Sequence, residues 1–180
     1  GFTPNPIFAK KHHMSIAALQ ALRLALQRQE IAAYIVPSND PHQSEYVPDY
    51  WKLREWLSGF TGSAGTLVIT ATAAQVWTDG RYFTQAEQEL AGGPFVLKKQ
   101  QVAHAPEHIE WLAENLPAGA TVAADGKLFS VQQQRYIEKR FAAKGIELDT
   151  QLDLLGPLWE DRPALPLSPI FEQDTYFAGL

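Results

Sequence analysis

Apolar positions recur at helical spacing over residues 15–29, where Ile16, Leu19, Leu22 and Leu26 form one stripe among alanines and Ser15 stands in a capping position. A short apolar run over 32–36, ended by Pro37, suits a buried strand. The pattern then predicts a short helix over 51–57 and strands over 66–70 and 75–78, joined by Ala71-Thr-Ala-Ala74 as a hairpin. Asp79 is a good N-cap for a helix from Arg81 to about Leu90, which Gly92-Gly93-Pro94 stops. Beyond it come a strand over 95–98, a helix opened by Pro106 and running through Asn115, and a strand over 122–124. A helix over 131–143, capped by Ser130 and closed by Gly145, and a strand over 146–148 complete the series. Strands alternating with helices indicate an α/β domain with a mixed sheet flanked by helices, and the adjacent strand–strand step requires at least one antiparallel pair.

After Leu155 the character changes. Pro157, Pro163, Pro166 and Pro169 surround Trp159-Glu-Asp-Arg162, a stretch that reads as an extended strap or interdomain linker. The expected organisation is a tail or upstream extension over 1–13, one domain over 14–155, and a proline-rich linker over 156–180 toward a further domain.

Composition narrows the function classes. The chain has 180 residues, 46% of them apolar, with five Trp, nine Phe and six Tyr, enough for one core. Fifteen basic against twenty acidic residues give a net charge of −5, which argues against a nucleic-acid partner. There is no cysteine, so disulfides, thiolate metal sites and Cys nucleophiles are excluded, and a cytoplasmic setting is compatible. No apolar run approaches the roughly 18 residues of a membrane span.

Three polar segments between apolar strands hold the candidate chemistry: Pro37-Ser-Asn-Asp-Pro-His-Gln-Ser-Glu-Tyr46, Ser58-Gly-Phe-Thr-Gly-Ser-Ala-Gly-Thr66 and Trp77-Thr-Asp-Gly-Arg-Tyr-Phe83. They read as loops gathered at one sheet edge. Gly59, Gly62 and Gly65 match neither the dinucleotide fingerprint nor a Walker loop, and a strand follows where both phosphate motifs open a helix. Thr61-Gly-Ser-Ala-Gly65 likewise misses the nucleophile elbow by one residue. A tight connection that brings backbone close to another surface fits better. His104 and His108 have zinc-ligand spacing, but Pro106 falls between them and ordinary surface histidines are the better reading. His42 shares a loop with Asp40 and Glu45.

No set of Asp, His and Glu converges as a two-metal hydrolase needs, with ions about 3.5–4 Å apart. Arg81 carries the sharpest expectation, because a cation at a helix start opposes the helix dipole. Its planar fork suits a carboxylate or carbonyl-rich ligand, and Glu45 could take a substrate amine or pair with Arg81. On spacing alone, a plain surface Arg–Glu ion pair remains open beside the ligand-binding reading.

The three segments, extended to Ala33–Tyr46, Leu57–Thr66 and Trp77–Phe83, resemble the N-terminal domain of Xaa-Pro aminopeptidases of the larger, three-domain type, also called aminopeptidase P. Trp159-Glu-Asp-Arg-Pro-Ala-Leu-Pro166 and Tyr176-Phe-Ala-Gly179 are similar to that family's exit from its first domain, whereas Ala124-Asp125-Gly126 departs mildly from its pattern. The resemblance implies a creatinase-type, ribonuclease-H-like fold. It also implies a parent metallopeptidase, a hydrolase that releases the N-terminal residue from peptides with proline second. Two divalent ions, expected to be manganese, would sit in a later catalytic domain whose ligands all lie beyond Leu180. No catalytic or metal residue is therefore expected in this segment, which alone would be inactive. The implied substrate-binding residues are Arg81 and Glu45, with His42 and Tyr82 as loop neighbours. Expected partners are a peptide substrate, the middle and catalytic domains of the same chain, and a second copy in a cytoplasmic homodimer. A non-catalytic dimerisation or interaction module, or a domain of a related creatinase- or prolidase-type enzyme, is the competing expectation.

Overall fold

The computed structural model describes residues 6–169, 172 and 174–178. Positions 1–5 of the expected tail, and Gly179 and Leu180 at the other end, lie outside the described residues. Helix α1 spans Pro6–Arg28, so it begins well upstream of the expected start. Ser15 is consequently not a cap: it sits inside α1 and is buried. Pro6 occupies the first helical position, where its missing N–H leaves no bond unmade.

Six strands form one sheet: β1 (Ala33–Val36), β2 (Thr66–Thr70), β3 (Ala74–Thr78), β4 (Val96–Lys99), β5 (Thr121–Ala124) and β6 (Glu147–Asp149). Their spatial order is β4-β3-β2-β1-β5-β6. β2 pairs antiparallel with both β1 and β3, while β1–β5, β5–β6 and β3–β4 are parallel. All strands except β2 therefore point the same way. This is the expected mixed sheet, with two antiparallel pairs around β2 where the sequence required at least one.

The remaining helices are α2 (Leu53–Ser58), α3 (Phe83–Leu90), α4 (Glu107–Asn115) and α5 (Val131–Ala142). The helix expected over 51–57 divides into a 3-10 turn at Asp49–Trp51 and α2, which Gly59 ends in the left-handed conformation at φ 81°. Ser130 and Gln133 cap α5 reciprocally.

Alternation along the strands splits the core into two layers. Tyr34, Val36, Leu67, Ile69 and Val76 pack with Leu22 and Leu26 of α1, Leu57 of α2 and Leu90 of α3. Ala33, Ile35, Val68, Trp77 and Val122 face the other way, onto Ile109 and Leu112 of α4 and Phe141 of α5.

The segment after β6 returns to the first layer. The Tyr34 hydroxyl donates to Leu152 O at 2.9 Å and accepts from Leu154 N–H at 3.2 Å. Trp159 stacks on Trp56 with ring centroids 5.2 Å apart, and Arg162 lies 3.6 Å over the Tyr50 ring while donating Nε–H to Tyr50 O. Residues 163–169 run without helix, strand or turn.

Candidate functional site

The three polar segments meet where β1 and β3 end and β2 begins. Side chains from the strand ends lace them together. Ser38, two residues past β1, donates its hydroxyl to Gly65 O at 2.5 Å and accepts from Gly65 N–H at 3.1 Å. Thr78, the last residue of β3, donates its hydroxyl to Ala64 O at 2.6 Å. The Ser63 and Tyr82 hydroxyls share a hydrogen bond of 2.5 Å. The glycine loop is thus pinned by both neighbouring segments.

A residue that sequence reading passed over shapes the loop from below. Arg54 of α2 is buried, donates Nη1–H to Phe60 O at 2.9 Å and Nη2–H to Gly62 O at 2.5 Å, and lies over the Phe60 ring. Burial lowers its pKa to about 10, still well above neutrality, so it remains a cation. In the sequence it stands three residues before Leu57, a spacing that puts it on the apolar face of α2, but its burial and partners are set by the fold. Gly62 fits the tight connection expected of this loop. A Cβ there would lie 2.3 Å from Phe60 Cζ and 2.8 Å from Tyr82 Cδ1.

Arg81 stands at the rim, in a 3-10 turn (Gly80–Tyr82) ahead of α3. Asp79 caps that turn by accepting the Arg81 N–H, and also holds the guanidinium in a two-point pair, Nε to Oδ1 at 2.9 Å and Nη2 to Oδ2 at 2.8 Å. This pair resolves the unfavourable dipole position of Arg81. The Arg81 hydrogen bonds, with smaller electrostatic help, lower the Asp79 pKa to about 2 despite its burial. The Arg81 side chain keeps 54% of its surface exposed, against 4% for Asp79.

Glu45 and His42 lie exposed in the first segment. The surface Arg81–Glu45 pair left open by spacing is not the contact that forms, because Asp79 already sits two residues away on a rigid strand end. Around them, buried Asp40 organises the turn by accepting the N–H groups of His42 and Ser44. Burial opposes ionisation of Asp40, but the bonds from Ser44 and His42 outweigh it and lower its pKa.

Beside these loops a crevice of about 590 Å³ opens on the α4–α5 side of the carboxyl sheet edge. Its walls include Ser38, Ser63 and Asp79 from the three segments and His104 and His108 from around the start of α4. His104 is exposed, as the surface-histidine reading expected, but half-buried His108 departs from it: its Nδ1 is buried without a hydrogen-bond partner, and burial pushes its pKa down to about 4. Among the described residues, no group of three or more His, Cys, Asp or Glu side chains could hold a metal ion.

Residues 19–155 match the family model of the creatinase/prolidase N-terminal domain. The chain belongs to that family. Relatives include aminopeptidase P2 of Arabidopsis thaliana, 40% identical over 153 residues that cover 83% of this chain and 21% of the relative. Xaa-Pro aminopeptidase 2 of Mus musculus is 37% identical over 163 residues, 89% of this chain and 24% of its own length. The chain therefore spans about a quarter of the relatives it matches. Among solved structures, the X-prolyl aminopeptidase of Caenorhabditis elegans, described as a cytosolic enzyme with a di-nuclear active site, superposes with a TM-score of 0.81 at 33% identity, covering 92% of this chain and 29% of that one. The creatinase-type fold and the resemblance to aminopeptidase P seen in the sequence both hold. Within the family domain, the laced loops and the Asp79–Arg81 pair form the carboxyl-edge face. No described helix is long and apolar enough to cross a membrane.

Proposed function

We propose that this chain is the N-terminal, substrate-capping and assembly domain of a metal-dependent Xaa-Pro aminopeptidase, which releases the first residue from peptides whose second residue is proline. Bond cleavage belongs to a later domain of the same polypeptide, where two divalent ions, manganese in this reading, supply Lewis-acid activation. The segment alone is inactive. The parent works as a cytoplasmic homodimer.

The observation that supports this role most is the presentation of Arg81. Its outer surface faces solvent at the loop edge while Asp79 fixes the guanidinium from behind. A cation held this way meets a peptide carbonyl or carboxylate without first losing side-chain freedom, so its binding energy goes into orienting the peptide. Glu45, exposed in the adjoining loop, is placed by the same reading to meet the peptide amine, with His42 as its loop neighbour.

A second reading draws on the same pair. Since Asp79 already satisfies Arg81, the pair could serve only to shape the turn, leaving the domain as a dimerisation module. The deciding experiment is manganese-dependent release of the first residue from an Xaa-Pro peptide by the full-length enzyme, wild type beside Arg81→Ala. The expected result is an active wild type and a loss in kcat/KM of tenfold or more, about 1.4 kcal/mol per tenfold. Equal activity of the two would assign Arg81 to structure and favour the module; no activity in a folded, metal-loaded wild type would remove the aminopeptidase reading.

A further inference from the structure

The crevice beside the laced loops runs along the carboxyl edge of the sheet, with Ser38 after β1, Trp77 and Asp79 at the end of β3, Gln100 after β4 and Phe129 beyond β5 in its walls. From β1 the strands proceed through β2 and β3 to β4 on one side, and β5 and β6 are then laid on the other side of β1. The gap between the carboxyl ends of β1 and β5 is a topological switch point, where neighbouring connections diverge, and Asn39 and Phe129 from the connections after those two strands form one part of the crevice wall. Asn39 and Gln43 span the gap by donating to Leu128 O, at 3.4 and 3.2 Å. At about 590 Å³, the crevice falls within the roughly 300–1,000 Å³ of small-molecule sites.

Its chemistry is neutral and amide-like. Trp77, Phe129 and Ile137 supply apolar wall, and Gln100, Gln133 and Tyr136 supply hydrogen-bonding groups. Gln100 commits its Nε2 to Ala105 O and Gln133 its Oε1 to Ser130 N–H, so the first keeps an acceptor and the second a donor. The carboxylate in the wall, Asp79, is already matched by Arg81. His108 adds an imidazole whose Nδ1 has no partner within the protein. Paired donors and acceptors without net charge, against aromatic walls, complement a peptide backbone better than an ion.

We propose that this crevice binds a neutral, amide-bearing ligand, a short extended peptide. Because Asp79 belongs both to the crevice wall and to the Arg81 pair, the crevice continues inward from the rim where the proposed substrate contact stands. In the aminopeptidase reading it therefore receives a part of the peptide other than the scissile bond. That assignment to substrate rests on the reading of Arg81 given above, whereas binding of a peptide here does not.

The test is an NMR titration of the chain with acetyl-Ala-Ala-Ala-amide, observing the backbone amides of His104, His108 and Gln133. Wild type is compared with Ala105→Phe and Gln132→Trp, which fill the crevice from opposite walls at half-exposed and exposed positions. Thermal melts close to wild type establish that both variants are folded. Saturable shifts in wild type, with binding at least tenfold weaker in both filled variants, are expected. Absence of shifts in wild type, or equal binding by the filled variants, would overturn the proposal. Equal binding of acetyl-Asp-Asp-Asp-amide would overturn its neutral-ligand character. The cleavage assay reads a different event: if the folded, metal-loaded wild type is inactive while this titration succeeds, the crevice is a peptide site in a protein of another activity, and if Arg81→Ala cleaves as well as wild type, the crevice stands without the Arg81 contact.

Discussion

A methyl group added at Gly62 tests whether the glycine loop is packed or merely flexible. The new carbon would sit 2.3 Å from Phe60 Cζ and 2.8 Å from both Phe60 Cε2 and Tyr82 Cδ1, where ordinary contact begins at 3.4 Å. The Phe60 ring would have to retreat by about an ångström, the difference between those distances and ordinary contact. It is fully buried against the first core layer and under Arg54, so retreat strains that layer. Overpacking of this kind costs about 1–3 kcal/mol, and displacement of Tyr82 also threatens its bond to Ser63. For a domain of this size each kcal/mol lowers the melting temperature by about 2–4 °C, so Gly62→Ala should melt roughly 2–12 °C below wild type. Gly80 is the control. It lies in the third segment between Asp79 and Arg81, so pattern alone ranks it with Gly62, yet an added carbon would meet only Phe83 Cε2 at 3.9 Å. Gly80→Ala should stay within about 0.5 kcal/mol of wild type. Calorimetric melts of the three proteins decide the matter. A Gly62→Ala protein as stable as wild type, or a Gly80→Ala protein as damaged as Gly62→Ala, would refute the packing argument.

Removing the Tyr34 hydroxyl by Tyr34→Phe leaves the Leu152 carbonyl and Leu154 N–H without their partner, and urea unfolding should show a loss of about 1–3 kcal/mol. Asp79 has a folded pKa of about 2 against an ordinary 3.8, so its contribution is complete above pH 3.8 and fades as pH falls toward 2. Wild type should therefore exceed Asp79→Asn in stability by a constant margin above that window, and the margin should shrink within it on acid titration. His108 shows the same direction in a different range. Its unfolded form takes a proton below pH 6.5 that the folded form refuses until about 4, so wild-type stability should rise with pH between those values, and His108→Gln should flatten that slope in pH-dependent urea midpoints.

The local elements were legible because their signals are local. The run before Pro37, the Thr66–Thr70 strand and the Ser130 cap each depend on residues within one turn or one pleat, and each stands where the pattern placed it. The upstream half of α1 was not legible, since the apolar stripe begins only at Ile16, and a buried serine inside a helix looks the same as a serine starting one. The site divides in the same way. That three polar segments gather at one edge followed from strands of similar length separated by short connections, and the family resemblance followed from the segments themselves.

What joins those segments was decided in space. Ser38 meets Gly65 across 27 positions, Thr78 meets Ala64 across 14, and Tyr34 meets Leu152 across 118. A hydroxyl in a sequence announces that it will hydrogen-bond but does not name its partner. Arg81 and Glu45 seemed equally available to each other until the fold set Asp79 against the guanidinium. Strand order is likewise invisible to periodicity, which reports burial at each position and not the neighbour that buries it. The sequence by itself determined the elements, the edge they expose and the family. Tertiary structure alone decided the laced loops, the buried Arg54 beneath them and the crevice along the carboxyl strand ends, because each depends on groups that come together only when the sheet closes in its particular order.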